Sequence, residues 1–196
     1  TGDDDISPPT GPVQPENWQD VANETTSDTT TTAVVNRVRL ETYIETAERG
    51  SGIVIPISEN DTSTAQLPLD VFETMAEREM TLTVQSGGVS ISIPSTSIDL
   101  GRVRELFGLE AEQSDIPIAI TVSKITSEET AALGSAAASE GLDIVGTPVA
   151  FSVSASFNGK TIEIAGFTQY VRRTLEVTRE IAENVSTALV FEEDNT

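Results

Sequence analysis

The stretch LTVQSGGVSISIP, residues 82–94, decides the fold class of this chain. Apolar side chains occupy every second position on both sides of Ser86-Gly87-Gly88, and an alternation of period two is typical of half-buried strands. The glycines between the two runs tolerate a positive φ, so the segment predicts a β-hairpin. We therefore expect an antiparallel sheet with one buried face.

Strand-like alternation recurs along the rest of the chain. Further apolar runs of this kind occur in residues 118–122, 149–157, 162–164, 167–177 and 185–191. Asn158-Gly159 supplies a second hairpin turn between two of them. Helix start signals precede three other segments, at Asp70, Asp99 and Ser127. These patterns predict a mainly β fold: an antiparallel β-sandwich-like domain with about three short helices and an extended N-terminal arm.

Residues 1–33 differ from the rest of the chain because they are rich in proline, aspartate and threonine. Such a segment has little apolar surface to offset its ordering entropy, which predicts an arm or linker before a single domain at residues 34–196. One alternative is a flexible tether. In the other, the β-branched threonines form a strand that adds to the sheet edge of a neighbouring molecule. The residues that would bind this partner are Val13, Trp18, Thr29, Thr30, Thr31 and Thr32.

Composition excludes several functional classes. The chain has 11 basic and 32 acidic residues, a net charge of −21, and no cysteine or histidine. This charge repels phosphate backbones, so nucleic acid is not an expected partner. Without histidine a Ser-His-Asp triad cannot form, and nothing marks a pair of acids for glycosidase chemistry, so we expect no enzyme and no catalytic residue. Apolar runs fall far short of the roughly 18 residues of a membrane span, so membrane insertion is not expected.

Calcium is the one cofactor that the acidic residues suggest, because it takes carboxylate and carbonyl oxygens as ligands. Three clusters offer such oxygens: Asp3-Asp4-Asp5, Glu59-Asn60-Asp61 and Glu192-Glu193-Asp194. None has the alternating ligand spacing of a calcium loop. We therefore expect no cofactor, with calcium as the alternative.

Lys124 shares the strand parity of Ile118, Ile120 and Val122, which would direct its amine toward the core or its rim. A buried lysine of this kind would attack the amide of Asn36 or Asn184 to form an isopeptide crosslink. The plainer alternative, which we favour, is that Lys124 ends its strand with the amine in water.

Aromatic residues are few and scattered: Trp18, Tyr43 and Tyr170 do not form a platform for stacking sugars. Tyr170 does stand near the adjacent Arg172 and Arg173, which strand alternation places on opposite faces, so that the two arginines cannot form one anion clamp. A carbohydrate-binding role is therefore an alternative rather than the first expectation.

A resemblance to a known family is carried by four segments, residues 82–94, 117–125, 146–151 and 167–177. They resemble the β-rich domain found next to surface-layer homology repeats in Gram-positive bacterial cell-surface proteins. The resemblance covers roughly residues 65 to 196 and implies a secreted, extracellular protein of the bacterial cell surface. In that family the chain continues beyond the equivalent of residues 192–196 into further strands. Either those strands have been removed from this chain, or a strand from another molecule completes the sheet, and we expect the second.

These observations give one expected function and one alternative. The expected function is a non-enzymatic, S-layer-associated structural protein of a bacterial cell surface. It is either a module that spaces or presents other modules of a long protein, or a subunit that self-assembles into a filament or layer by strand complementation. The alternative is a carbohydrate-binding or adhesive module of a larger secreted protein. The expected partners are copies of this chain, other cell-surface proteins or carbohydrate.

Overall fold

The computed structural model describes residues 18–108 and 116–177, apart from the side chain of Gln19. These residues form ten strands: β1 (Ala22–Ser27), β2 (Thr30–Val35), β3 (Gly52–Ile57), β4 (Thr62–Pro68), β5 (Thr81–Ser86), β6 (Val89–Pro94), β7 (Pro117–Lys124), β8 (Val149–Phe157), β9 (Lys160–Glu163) and β10 (Arg172–Leu175). They also form four α-helices: α1 (Arg37–Thr46), α2 (Leu69–Glu77), α3 (Leu100–Phe107) and α4 (Ser127–Ser139). The prediction of a mainly β fold is confirmed.

The strands form two mixed sheets. The six-stranded sheet has the order β1-β2-β4-β7-β8-β9, and the four-stranded sheet has the order β10-β6-β5-β3. β2 runs parallel to β4 and β3 runs parallel to β5, whereas the other pairs are antiparallel. The expectation of an antiparallel fold is therefore wrong for these two pairs. Parallel neighbours cannot be joined by a tight turn and need a longer crossover connection. Helices α1 and α2 lie within those crossovers, and local turn signals do not reveal them.

Both predicted hairpins are confirmed. Gly87 has φ 55° in the turn between β5 and β6, and Asn158 and Gly159 have φ 49° and 77° between β8 and β9. The second turn therefore has two residues with positive φ and the first has one, and two-residue turns of both kinds match the right-handed twist of the flanking strands. Of the predicted strand at 167–177, only Arg172–Leu175 is a strand, and residues 185–191 lie outside the described chain.

The helix start signals are confirmed at one position and displaced at two. Asp99 caps α3, accepting a hydrogen bond from the Arg102 N–H at 2.9 Å. Helix α2 begins after Pro68, so Asp70 lies inside its first turn. Helix α1 was not predicted, because only two of its residues, Leu40 and Ile44, are buried and its apolar period is faint.

The described part of the N-terminal segment belongs to the sheet, which corrects the expectation of an extended arm for residues 22–33. Asp28 takes φ 47° and reverses the chain, so that β1 pairs antiparallel with β2. β2 then pairs with β4 of the same chain, and Thr31 is only 1% exposed. The β-branched threonines do favour a strand, as expected, but their partner is intramolecular. Residues 1–17 lie outside the described chain.

One hydrophobic core receives side chains from both sheets. Leu67, Ile118 and Ile120 of the six-stranded sheet are fully buried, as are Ile55 and Leu82 of the four-stranded sheet. Each buried side chain of this size stabilises the fold by about 1.5–3 kcal/mol. Successive side chains of a strand point to opposite faces of its sheet, so the other face of each sheet is directed away from this core.

The described residues divide into two units. The first unit contains both sheets, and its described part is residues 18–108, 116–124 and 149–175. The second unit contains α4, and its described part is residues 125–148 with 176 and 177. Thr126 caps α4 and forms a capping box with Glu129, since each side chain accepts from the other's backbone N–H. The expected cap, Ser127, is one residue late. Hydrogen bonds from Thr126 lower the pKa of the Glu129 carboxyl.

Candidate interaction surface

The residues predicted to bind a partner do not form one site. Val13 lies outside the described chain. Trp18 is half-buried against the core, in a short 3-10 turn. Thr29 is exposed in the turn before β2, and its carbonyl accepts a hydrogen bond from the Thr62 N–H at 2.9 Å. Residues 30–32 lie in β2, with Thr31 directed inward and its two neighbours outward.

The outward side of the six-stranded sheet carries an ordered array of small polar side chains. Strand register places five hydroxyl residues in one row across β1, β2, β4, β7 and β8: Thr25, Thr32, Thr64, Thr121 and Ser152. The flanking rows consist of Ser27, Thr30, Thr62, Ser123 and Ala150, and of Asn23, Val34, Gln66, Ala119 and Ser154. We call these three rows the hydroxyl face.

The hydroxyl face contains no charged residue, although the chain has a net charge of −21. Within the ten described strands the acidic residues are Glu24 and Glu163, which lie on the two edge strands of this sheet. Glu163 extends the row of Ser154 at the β9 edge. Glu24 accepts hydrogen bonds from the N–H and the hydroxyl of Ser58, at 3.0 and 2.7 Å. Acids are thus excluded from the middle of the sheet.

A hydrogen bond between neighbouring strands orders two side chains of this face. The hydroxyls of Thr64 and Thr121 are 3.0 Å apart, and Thr64 is 9% exposed. Val34, by contrast, is 48% exposed in the adjacent row. The surface is therefore a mixture of ordered hydroxyls and methyl groups that offers both hydrogen bonding and apolar contact to a partner.

Sequence reasoning missed this face, although a signal for it was present. Small residues, mostly serine and threonine, alternate with the inward apolar residues of β7 and β8. Alternation alone predicts an outward polar side for any half-buried strand. Only the register between strands distant in sequence shows that the hydroxyls form continuous rows.

A buried hydrogen bond links the two sheets. The Ser86 hydroxyl at the end of β5 donates to Ser63 Oγ in β4 at 2.8 Å, and both residues are buried. The Ser63 hydroxyl in turn donates to the carbonyl of Ser58 at 3.3 Å. These two hydrogen bonds connect β5, β4 and the loop that follows β3.

Lys124 lies at the rim rather than in the core. Its Nζ is 3.3 Å from Glu59 Oε1 and 3.8 Å from Asp61 Oδ1, and its side chain is 43% exposed. Asn36, the described candidate for an isopeptide partner, caps α1 by accepting from the Arg39 N–H at 3.1 Å. These contacts favour the interpretation that Lys124 ends β7 as a surface ion pair; Asn184 lies outside the described chain.

The acidic cluster at residues 59–61 is engaged by other groups. Glu59 and Asp61 face Lys124, while Asn60 Nδ2 donates to the carbonyl of Asp28 at 3.3 Å. A cavity of about 40 Å³ adjoins Glu59 and Lys124, which is room for a few water molecules. Over residues 18–108 and 116–177, acidic side chains nowhere gather in a group of three or more suited to a metal. The other two predicted calcium clusters lie outside these residues.

Ion pairs connect helices α1, α2 and α3. Arg37 Nη2 contacts Asp70 Oδ2, and Arg104 Nη1 lies 2.5 Å from Glu73 Oε1. Burial raises the pKa of the Asp70 carboxyl, although the charge of Arg37 and the Val71 N–H act in the opposite direction. The hydrogen bond with Glu73 raises the pKa of Arg104. We assign these groups to helix packing.

Arg172 and Arg173 lie on opposite faces of β10, as strand alternation indicates. The Arg173 guanidinium is 5.8 Å from the centre of the Phe151 ring on the inward side. Arg172 adjoins a groove on the outward side of the four-stranded sheet, together with Tyr170. The pair therefore belongs to two separate environments.

Comparisons with known proteins give no family for this chain. No family model matches the sequence, and neither the curated proteins nor the solved structures include a match. None of the helices in the described residues has the length and apolarity that a bilayer crossing requires.

Proposed function

We propose that this chain is a non-enzymatic structural module of a bacterial cell surface, and that it associates with a second copy of itself through the hydroxyl face. In this proposal the two sheets stack as a β-sandwich, and the hydroxyl face lies on the outer side of the larger sheet. The observation that carries the proposal is the exclusion of acids from that face. The resemblance of residues 65 to 196 to cell-surface domains supports the extracellular location.

The charge distribution favours a second copy of this chain as the partner that binds the hydroxyl face. Two molecules of net charge −21 repel each other wherever their acidic surfaces meet. Repulsion is weak where two hydroxyl faces meet, because their three rows carry no charge and charges within about 8 Å dominate at physiological ionic strength. Threonine hydroxyls can both donate and accept, so the face is complementary to itself across a two-fold axis.

The size of the face predicts a weak contact. Five strands about 4.8 Å apart, with about six residues of about 3.3 Å each, cover on the order of 500 Å² per copy. The total of roughly 1,000 Å² is at the lower limit for a specific interface. Weak pairwise contacts suit modules that a cell surface holds at high local concentration, because avidity then supplies the stability.

This mode replaces the strand complementation that the sequence suggested. The strands at residues 22–27 and 30–35 pair within the chain, so they are not free donors. Thr30 and Thr32 remain contact residues in the proposal, because both lie on the hydroxyl face. Thr29 and Trp18 do not.

Sedimentation velocity at increasing protein concentration tests the proposal. Association should appear in the native chain and strengthen with added NaCl, which screens the repulsion between copies. Thr121→Arg should abolish it by burying an unpaired charge. This variant lowers the magnitude of the net charge by one, so added repulsion cannot explain the loss.

The matched control is Gln85→Arg, which makes the same charge change at an exposed position of the other sheet. It should associate like the native chain. A native chain that stays monomeric throughout, or equal association of the two variants, would overturn the proposal. Far-ultraviolet circular dichroism is the check that both variants are folded.

A further inference from the structure

A groove of about 290 Å³ lies on the outward side of the four-stranded sheet, away from the hydroxyl face. Its lining residues are Thr81, Ser92, Pro94, Tyr170 and Arg172. The volume is close to the lower end of the range of small-molecule sites, about 300 Å³. The groove is therefore large enough for one unit of a longer polymer that continues across the sheet.

Strand register builds the groove from two rows. Pro94 of β6 lies opposite Thr81 of β5, and in the next row Ser92 lies between Thr83 and Arg172. The hydroxyls of Thr83 and Ser92 are 2.8 Å apart, which orders the floor. Small side chains at the floor and a large ring at one wall give the depression its shape.

The segment before β10 holds Tyr170 in place. The Thr168 N–H donates to the carbonyl of Ser97 at 2.9 Å, and the Gln169 amide donates to the hydroxyl of Thr96 at 2.9 Å. The Thr168 bond and the pairing of β10 with β6 hold the backbone on the two sides of Tyr170, and the bond from the Gln169 side-chain amide adds a side-chain contact. The Tyr170 side chain itself is 81% exposed.

The chemistry of the groove differs from that of the surrounding protein. No acidic residue occurs in β3, β5, β6 or β10, and Arg172 makes no ion pair with a described residue. The groove offers one aromatic face, two hydroxyls and a guanidinium. Trp18 and Tyr43, the chain's tryptophan and its other tyrosine, are half-buried against the core.

We infer that this groove binds an uncharged polysaccharide. The apolar C–H face of a pyranose ring stacks on Tyr170, and its hydroxyls exchange hydrogen bonds with Thr81, Ser92 and the Arg172 guanidinium. An uncharged ligand fits because the field of a chain with net charge −21 repels anionic polymers before they reach Arg172. A cationic ligand is disfavoured because the Arg172 guanidinium would repel it and no lining residue of the groove is acidic.

NMR titration of the full chain tests the inference, with uncharged hexasaccharides of β-1,4-linked glucose and of β-1,4-linked N-acetylglucosamine as probes. At least one should shift the amide signals of residues 81, 92, 170 and 172, which line the groove. Tyr170→Ala should weaken binding about tenfold or more, because stacking on an aromatic ring contributes on that order. This exposed substitution leaves the core intact.

Arg173→Ala is the matched control, since Arg173 is on the inward side beside Phe151. It should bind like the native chain, and binding should not change with NaCl concentration. Absence of shifts with both saccharides, or equal affinity of Tyr170→Ala and the native chain, would overturn the inference. Tighter, salt-sensitive binding of a polyuronate would overturn the uncharged class.

Saccharide binding and the proposed self-association can be tested independently of each other. Thr121→Arg changes the hydroxyl face and should retain saccharide binding, whereas Tyr170→Ala should retain association in sedimentation. Loss of both properties in either variant would show that the two surfaces are not independent, and would overturn the assignment of the groove as a separate site.

Discussion

The buried hydrogen bond between Ser63 and Ser86 provides a test of how the two sheets pack. Ser63 belongs to the six-stranded sheet and Ser86 to the four-stranded sheet, and their hydroxyls are 2.8 Å apart in buried surroundings. A double-mutant cycle with Ser63→Ala and Ser86→Ala isolates the energy of this contact.

The structure sets the expected magnitudes. Ser63→Ala leaves the Ser86 hydroxyl buried without its acceptor, which should lower the free energy of unfolding by about 1–3 kcal/mol. Ser86→Ala should lower it by only about 0.5–1.5 kcal/mol, because Ser63 still donates to the Ser58 carbonyl. The double variant should be more stable than the sum of the single losses predicts, by about 1 kcal/mol.

Urea unfolding followed by circular dichroism measures all four proteins, with the slope of the unfolding free energy against urea checked for constancy. Thr83 and Ser92 form a control pair at the same distance, 2.8 Å, on the outward side of one sheet. Water competes there, so their coupling should stay below about 0.5 kcal/mol. Additive losses for Ser63 and Ser86 would refute the packing of the two sheets at this point.

Two further predictions concern the core and the helix contacts. Ile120→Ala should lower the free energy of unfolding by about 2–5 kcal/mol, because Ile120 is fully buried between Ala65 and Val153; Thr121→Ala should lower it by less than about 1 kcal/mol, as urea unfolding would show. Burial raises the folded-state pKa of the Asp70 carboxyl above its ordinary value of 3.8. The native chain should therefore lose free energy of unfolding as the pH rises from 3.8 through the raised pKa, because the carboxylate becomes charged while buried. The free energy of unfolding of Asp70→Asn relative to the native chain should therefore increase over that rise, and a pH-independent difference would contradict the assignment.

Local signals in the sequence predicted the elements that depend on neighbouring residues. The turn at residues 86–88 and the helix between Asp99 and Gly108 follow from residues that act within a few positions. The cap of α4 was displaced to Thr126 because two candidate hydroxyls are adjacent, and only Thr126 has a glutamate three residues later.

Long-range features were not predictable in this way. The parallel pairing of β2 with β4 depends on a crossover through α1, a helix whose buried face is limited to Leu40 and Ile44. The hydroxyl face depends on five strands that meet in register although Thr25 and Ser152 are far apart in sequence. Composition did reveal the excess of acids, but their absence from this face required the topology.

The distance between matching sites in two associated copies tests the central claim most directly. The chain has no cysteine, so Ser152→Cys and Gln85→Cys each create one site for a spin label. Stacked sheets lie about 10 Å apart, so contact through the hydroxyl face places the two six-stranded sheets about 10 Å apart and the two four-stranded sheets about 30 Å apart. Electron–electron dipolar spectroscopy should therefore give a clearly shorter distance for labels at 152 than at 85. A longer distance at 152, or no dipolar coupling at that site in associated protein, would contradict the account.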